Sequence, residues 1–265
     1  MSDHITLDIQ GAVATITFNR PETRNALSQE MRTGLGDFAT QVELDPQVRC
    51  VVLRGAGGNF MAGGDIKVFK ARQQLPPAQR TAETLKGIHS LHFAIYRLRR
   101  MPKPVLASVE GAAAGAGVSL VAACDLAIAA ADSFFILAYA NIGLSPDGSS
   151  TYFLPRMMGM KKAAELTLLP ERFDAETARG YGLINWVAPA GKLEEETAKL
   201  AERLANGPTV AYGRAKALLE SSLNTTLETQ LELEGLAIAD CMNTEDHAEG
   251  VTAFLEKRTP TFKGR

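Results

Sequence analysis

Residues 103–158, KPVLASVEGAAAGAGVSLVAACDLAIAAADSFFILAYANIGLSPDGSSTYFLPRMM, decide how this chain folds. An apolar strand over residues 105–109 runs into a turn of glycines and alanines that opens a helix near Gly115. A second strand follows over 126–129, and then a loop that carries Asp147. Backbone N–H groups left free at the start of such a helix, together with its dipole, stabilise an anion. The motif is not that of a nucleotide phosphate. The Gly-x-Gly-x-x-Gly pattern fails because Leu120 stands at the third glycine, and no Gly-Lys-Ser/Thr triplet follows. A turn with no bonding or charged side chain until Ser119 suits a small oxyanion held by backbone N–H groups alone. The same glycines also let a helix pack closely on a strand, and spacing alone leaves both readings open.

Working outward, 265 residues of which 46% are hydrophobic bury a full core for one domain, or one domain with an appendage. A formal charge of −2 gives no electrostatic footprint for nucleic acid or an anionic membrane. The basic run Arg97, Arg99, Arg100 and Lys103 reads as a solvated helix end that complements its dipole. Cys50, Cys124 and Cys241 are far apart and form no Cys-x-x-Cys, which argues against a disulfide framework or zinc site and for a reducing, cytoplasmic compartment. No apolar run approaches a membrane span, and MSDHITLD lacks the charged-then-apolar pattern of a signal peptide.

Upstream, residues 5–9 and 13–18 read as two short strands around a turn at Gly11. The loop NRPETRNALS leads to a helix over 28–44, with Ser28 as its N-cap. Residues 50–53 form a buried strand, the loop GAGGNFMAGGDIKVF follows, and a helix over 81–100 is closed by Pro102 and Pro104. This order predicts an α/β architecture with largely parallel strands. After Pro155, helices are expected over 161–169, 175–181, 193–205, 209–219, 226–242 and 245–257, with one strand at 184–187. Helix beyond what one sheet face needs predicts a core over 1–200 and a helical region over 201–265. That region should cover its own active site or a neighbouring subunit and expose an apolar face in the monomer.

With both glycine loops in hand, the chain resembles the crotonase, or enoyl-CoA hydratase/isomerase, superfamily from end to end. The matching words are NRPETRNAL, NFMAGGDI, KPVLASVEGAAAGAGVSL, CDLAIAA, the loop 141–155 and EGVTAFLEKRTPTFKGR. The resemblance implies an α/β spiral of ββα repeats with a C-terminal helical trimerisation region, assembled as a homotrimer or a hexamer of two trimers. It implies an acyl-CoA thioester as ligand, with coenzyme A entering as part of the substrate and no tightly bound cofactor or metal. Two backbone N–H groups, at Gly64 and Ala116, then hold the thioester oxygen, each worth on the order of 3 kcal/mol in the transition state. Arg24, Asn25 and Ala26 fall near the pantetheine and phosphates, and Ala62, Asp65 and Ile66 around the adenine. Phe262 and Lys263 reach the nucleotide from a neighbouring subunit. From the residues alone Arg24 is an exposed loop charge and Asp65 an N-cap for the helix starting at Ile66.

Hydratases of the family use two glutamates, and at those positions this chain has Ser119 and Tyr139. Neither supplies the acid–base pair that water addition needs near neutral pH. Asp147, in GLSPDGSS, is the carboxylate available, although an Asp just before a helix commonly serves as an N-cap. GLSPDGSSTYFLPRMMG and the C-terminal segment resemble the 1,2-epoxyphenylacetyl-CoA isomerase type, which implies Asp147 as the acid/base of an isomerase acting on a 3-enoyl-CoA or a ring epoxide. Phe69, Leu137 and Tyr139 would form the apolar surround. A second reading resembles the family's aromatic acyl-CoA dehalogenases, with Asp147 as nucleophile, Tyr139 as the aromatic neighbour and His92 as base; His92 otherwise sits on the inner face of a helix. A hydratase-like lyase, a CoA-binding protein without catalysis and an RNA binder are further alternatives, the last disfavoured by charge. His89 and His92 lack a third ligand for a metal.

Overall fold

The computed structural model describes residues 3–265. Strand β1 (Ile5–Gln10) turns at Gly11 into β2 (Val13–Phe18). A single 3-10 turn, Pro21–Thr23, precedes helix α1 (Gln29–Leu44), whose first turn is capped by Ser28 Oγ accepting from the Met31 N–H at 3.1 Å. Then come β3 (Cys50–Gly55), the short α2 (Ile66–Arg72) and the long α3 (Pro77–Arg100). Helix α3 starts a turn earlier than its apolar pattern, because Pro77 stands at the first helical position, where a missing N–H costs nothing. Next are β4 (Val105–Val109), β5 (Ala112–Ala114), α4 (Ala116–Ala123), β6 (Leu126–Ala130) and β7 (Phe134–Ile136). Helices α5 (Ser150–Met158) and α6 (Met160–Leu168), strand β8 (Phe173–Asp174), α7 (Ala175–Gly180) and β9 (Trp186–Ala188) follow. Four helices close the chain: α8 (Leu193–Ala205), α9 (Thr209–Ser222), α10 (Leu227–Met242) and α11 (Glu245–Glu256).

The main sheet has the order β1-β2-β3-β4-β6-β9, antiparallel only between β1 and β2. Its central strands β3, β4 and β6 are buried on both faces, as parallel strands inside a sheet require, while the edge strand β1 is largely exposed. Val51, Leu53, Val105 and Ala107 enter the large core, while Cys50, Val52, Leu106 and Ile128 face Ala201 and Ala205 of α8. A second sheet, β5-β7-β8, was not apparent in the sequence. Its strands are two or three residues long, too short for an alternating pattern, and β5 is the run of alanines that reads as part of a turn. The strand expected over 184–187 lies two residues later, because Leu183 and Ile184 turn into the core after α7.

Of the basic run only Arg100 is a solvated helix end. Arg97 pairs with Glu43 at 2.9 Å, and Lys103 is buried with its ammonium donating to Val42 O and Asp45 O at the end of α1. Arg99 Nε donates to Glu220 of α9 at 2.9 Å, and Arg99 Nη1 lies 3.3 Å from Asp125 Oδ1. Lys216 of α9 reaches Asp125 Oδ2 at 2.7 Å, and the Val105 N–H donates to the same oxygen at 2.8 Å. Burial pushes the Asp125 carboxyl up and the Lys216 ammonium down, so each depends on the other for its charge. This network seats α9 on the spiral. Beyond it the last helices expose Leu219, Leu231, Leu236, Ile238, Phe254 and Leu255, the apolar face expected of this region.

Asp125→Ala leaves Lys216 buried without its partner and is expected to lower stability by about 3–5 kcal/mol in urea unfolding. Asp125→Leu combined with Lys216→Met should recover most of that loss. An unchanged midpoint for Asp125→Ala would mean that apolar contacts alone dock α9.

Candidate functional site

Three loops are laced together at the centre of the molecule. Asn25 is fully buried and locks the first: its Oδ1 accepts from the Arg20 N–H at 2.8 Å, and its Nδ2 donates to Ala56 O and Asn59 O at 2.9 and 2.6 Å. Both Arg24 and Asn25 are left-handed, with φ of 53° and 58°. The Leu27 N–H donates to Gly63 O at 2.7 Å and the Ala62 N–H to Arg24 O at 2.9 Å, which ties this loop to the first glycine loop. That loop is in turn bridged to β5: Met61 N–H to Ala112 O at 2.9 Å, and Ala114 N–H to Met61 O at 2.8 Å.

Two glycines allow this approach. A Cβ on Gly117 would stand 2.7 Å from Met61 O, and one on Gly63, whose φ is +90°, would stand 3.2 Å from Ala114 O. With the neighbouring groups engaged, the N–H of Gly64 and that of Ala116, the first residue of α4, have no hydrogen-bond partner among the described residues. The sequence-predicted pair thus lies on two loops that touch. The Phe69 ring packs over Gly64, Leu137 is buried, and Tyr139 borders Gly115.

Asp147 lies beside the second loop. It is not the cap of α5: that position is taken by Ser149, left-handed at φ 78°, and no side chain caps the helix. Instead Asp147 Oδ1 accepts from the Tyr139 hydroxyl at 2.7 Å. Ser119, fully buried on α4, donates to Asp147 O at 2.9 Å and lies 3.1 Å from the Tyr139 oxygen. Gly148 brings this loop onto α4, where a Cβ would stand 3.1 Å from that of Ser119. Ser119, Tyr139 and Asp147 therefore form one connected group. Burial, and then the Asp147 charge, push the Tyr139 phenol far above its ordinary value. Tyr139 stays protonated and remains a donor to the carboxylate. The family resemblance implied these three residues for the site but gave no sign of the hydrogen bonds among them.

The remaining sequence candidates divide. Arg24 is exposed and Ala26 half-buried on the first loop; Ala62 is half-buried and Ile66 exposed at the rim of the glycine loop. Asp65 does cap α2, accepting from the Lys67 N–H at 3.0 Å, and also holds Arg20 at 3.1 Å. Among the described residues no hydrogen bond or ion pair joins Phe262 or Lys263 to Asp147 or to the glycine loops. The Phe262 carbonyl accepts from Arg49, its ring lies by Gly250, and Lys263 pairs with Glu245 at 3.8 Å. Phe262 also lines an apolar cavity of about 410 Å³ between α9 and α11. His92 is exposed on α3, on neither its inner face nor in contact with Asp147; the inner face is formed by Gly87, Leu91, Ala94, Ile95 and Leu98. Among the described residues no cluster of three or more His, Cys, Asp or Glu could hold a metal, and no helix is long and apolar enough to cross a membrane.

Comparison with known proteins bears directly on this arrangement. Residues 8–265 match the family described as enoyl-CoA hydratase/isomerase. The chain is 37% identical to the 1,2-epoxyphenylacetyl-CoA isomerase of Escherichia coli K12 over the full length of both. It is 31% identical to the short-chain-enoyl-CoA hydratase of Clostridium acetobutylicum over 99% of both. The crystal structure of an enoyl-CoA hydratase from Polaromonas sp. JS666 superposes with a TM-score of 0.92 at 36% identity, covering 98% of this chain and 99% of that one.

Tyr139→Phe is expected to remove the last tyrosine to ionise in an alkaline absorbance titration. A phenol held above its ordinary value contributes stability that is complete below about pH 10 and lost as pH rises beyond it. Between about pH 10 and 12 the wild-type protein should therefore lose more stability than the Phe variant, read by urea midpoints.

Proposed function

Because this chain belongs to the enoyl-CoA hydratase/isomerase family, we propose that it is the isomerase kind of acyl-CoA enzyme, with Asp147 as a single acid/base. The observation that carries this reading is the Ser119–Tyr139–Asp147 group, which holds one carboxylate where water addition needs two acid–base groups. Asp147 takes a proton from C2 of a 3-enoyl-CoA. The thioester oxygen gains charge as the enolate forms and is held by the N–H groups of Gly64 and Ala116, both without another partner. The same carboxyl returns the proton at C4, giving the conjugated 2-enoyl-CoA with no change in mass. Tyr139 keeps the carboxylate aimed, and Phe69 and Leu137 exclude water.

Opening of a ring epoxide draws on the same donors, and the likeness to the 1,2-epoxyphenylacetyl-CoA isomerase favours it as a second substrate type. Hydration remains the chemistry named for other relatives, but Ser119 and Tyr139 give it no second carboxylate here. Arg24, Ala26, Ala62, Asp65 and Ile66 line the path assigned to coenzyme A, which arrives with the substrate; no resident cofactor is needed for a proton shuttle. The exposed apolar face of the last helices supports a homotrimer or hexamer, in which Phe262 and Lys263 serve a neighbour's nucleotide site. Three unpaired cysteines fit work in the cytoplasm.

With purified protein, 3-hexenoyl-CoA is expected to gain conjugated-enoyl absorbance without a mass change, and crotonyl-CoA to gain no water. Asp147→Asn should lower kcat by about 10²–10⁴-fold. Hydration of crotonyl-CoA that survives this substitution would overturn the assignment.

A further inference from the structure

Helix α1 buries one charged side chain on its inner face. Arg32 is only 8% exposed, yet its guanidinium makes no hydrogen bond or ion pair with any described residue. It does not stand alone. Arg32 Nη1 and Arg72 Nη2 of α2 both lie 3.4 Å from the point that a Cβ on Gly87 of α3 would occupy, and Gln29 Oε1 lies 3.2 Å from it. Three helices thus bring two cationic groups to one bare spot. Arg72 likewise has no ion pair among the described residues.

A buried cation without a counter-ion is costly, and a second cation beside it adds to the cost. Burial and the Arg72 charge both depress the Arg32 pKa; Asp147, Asp65 and Glu30 act in the opposite sense. None of these three carboxylates neutralises Arg32 by contact. Asp65 is held by Arg20 and by the first turn of α2. Glu30 is exposed near His4 and Ser28 at the start of α1. Asp147 takes the Tyr139 hydroxyl. What is missing is an anion that arrives from outside, and a planar guanidinium is matched to a carboxylate. Geometry sets the spot beside the Asp147 loop: Leu91, one turn on from Gly87 on the buried face of α3, lies 3.4 Å from the point that a Cβ on Gly148 would occupy.

We propose that Arg32, with Arg72 beside it, receives a carboxylate at the far end of the acyl chain, so that the preferred substrates are mono-CoA thioesters of dicarboxylic acids. This rests on the isomerase reading above for the position of the acyl chain at Asp147. The reaction is unchanged: one proton leaves C2 for Asp147 and one returns to C4, while the terminal carboxylate stays ionised throughout.

The test compares the mono-CoA thioester of 3-hexenedioic acid with 3-hexenoyl-CoA as substrates, and hexanedioyl-CoA with hexanoyl-CoA as unreactive ligands in calorimetry. The wild-type protein should favour the diacid at least tenfold in kcat/KM and in Kd. Arg32→Met should abolish that preference chiefly through KM, Arg72→Met should weaken it, and Arg32→Lys should retain part of it. Because the substitution removes a buried charge with no ion pair, Arg32→Met should melt no lower than wild type; a merely structural arginine would give a drop. Arg32→Gln serves as a second variant. No preference in the wild type, or a preference that persists in both Arg32→Met and Arg32→Gln, overturns the proposal. Tight, Arg32-dependent binding of hexanedioyl-CoA without turnover upholds it and removes the isomerase reading instead.

Discussion

The approach of two backbones at Gly63, Met61, Ala114 and Gly117 is the constraint on which the rest of the site depends. Met61 pairs with both Ala112 and Ala114, so the first glycine loop runs as an added strand beside β5. The spacing leaves no room for side chains, since a Cβ at either glycine would meet a carbonyl oxygen of the opposite loop. Pairing on this scale consumes the N–H groups around the junction. Those of Gly64 and Ala116 are left over because Gly64 is bridged to Leu27 through the carbonyl of Gly63 and not through its own N–H, and Ala116 begins a helix. The donors are therefore a by-product of how the loops are joined, fixed by backbone and independent of side-chain rotamers.

Carboxylates in this protein are treated in two ways. Asp125 and Asp65 are held by cations, through Lys216 and Arg99 for the first and Arg20 for the second, and both serve structure. Asp147 has no ion pair among the described residues and receives a neutral phenol instead. A short hydrogen bond to an ionised acceptor orients the carboxylate without cancelling its charge, whereas a direct ion pair would oppose protonation. The nearby guanidinium of Arg32 acts over a longer range and keeps its own donors free.

The C-terminal helices are held to the spiral unevenly. Helix α9 is fastened by buried charge, while α10 and α11 present leucines and a phenylalanine outward. An exposed apolar surface of this kind marks contact with another macromolecule. Phe262 and Lys263 stand at the end of this same region, remote in contact from the loops they would serve in their own chain.

The sequence alone determined the α/β order, the strands of the main sheet, the cap at Ser28, the two glycine loops and the presence of Ser119, Tyr139 and Asp147 near one another in the family's pattern. These are legible because hydrophobic period, capping chemistry and glycine usage are local, and the matching words recur along the whole chain. The second sheet was hidden, since β5, β7 and β8 are too short to show a period. Tertiary structure decided that Asp147 accepts a hydroxyl and caps no helix, that His92 faces outward, and that Arg97, Arg99 and Lys103 of the basic run are tied to α1 and α9. It also decided the place of Arg32. The sequence carried one sign of it, an arginine in the same stripe as Met31, Leu35 and Gly36, but whether such a residue finds a counter-ion depends on the helices that pack around it. Contacts between residues far apart in the chain have no local signature, and the chemistry of this site is made of such contacts.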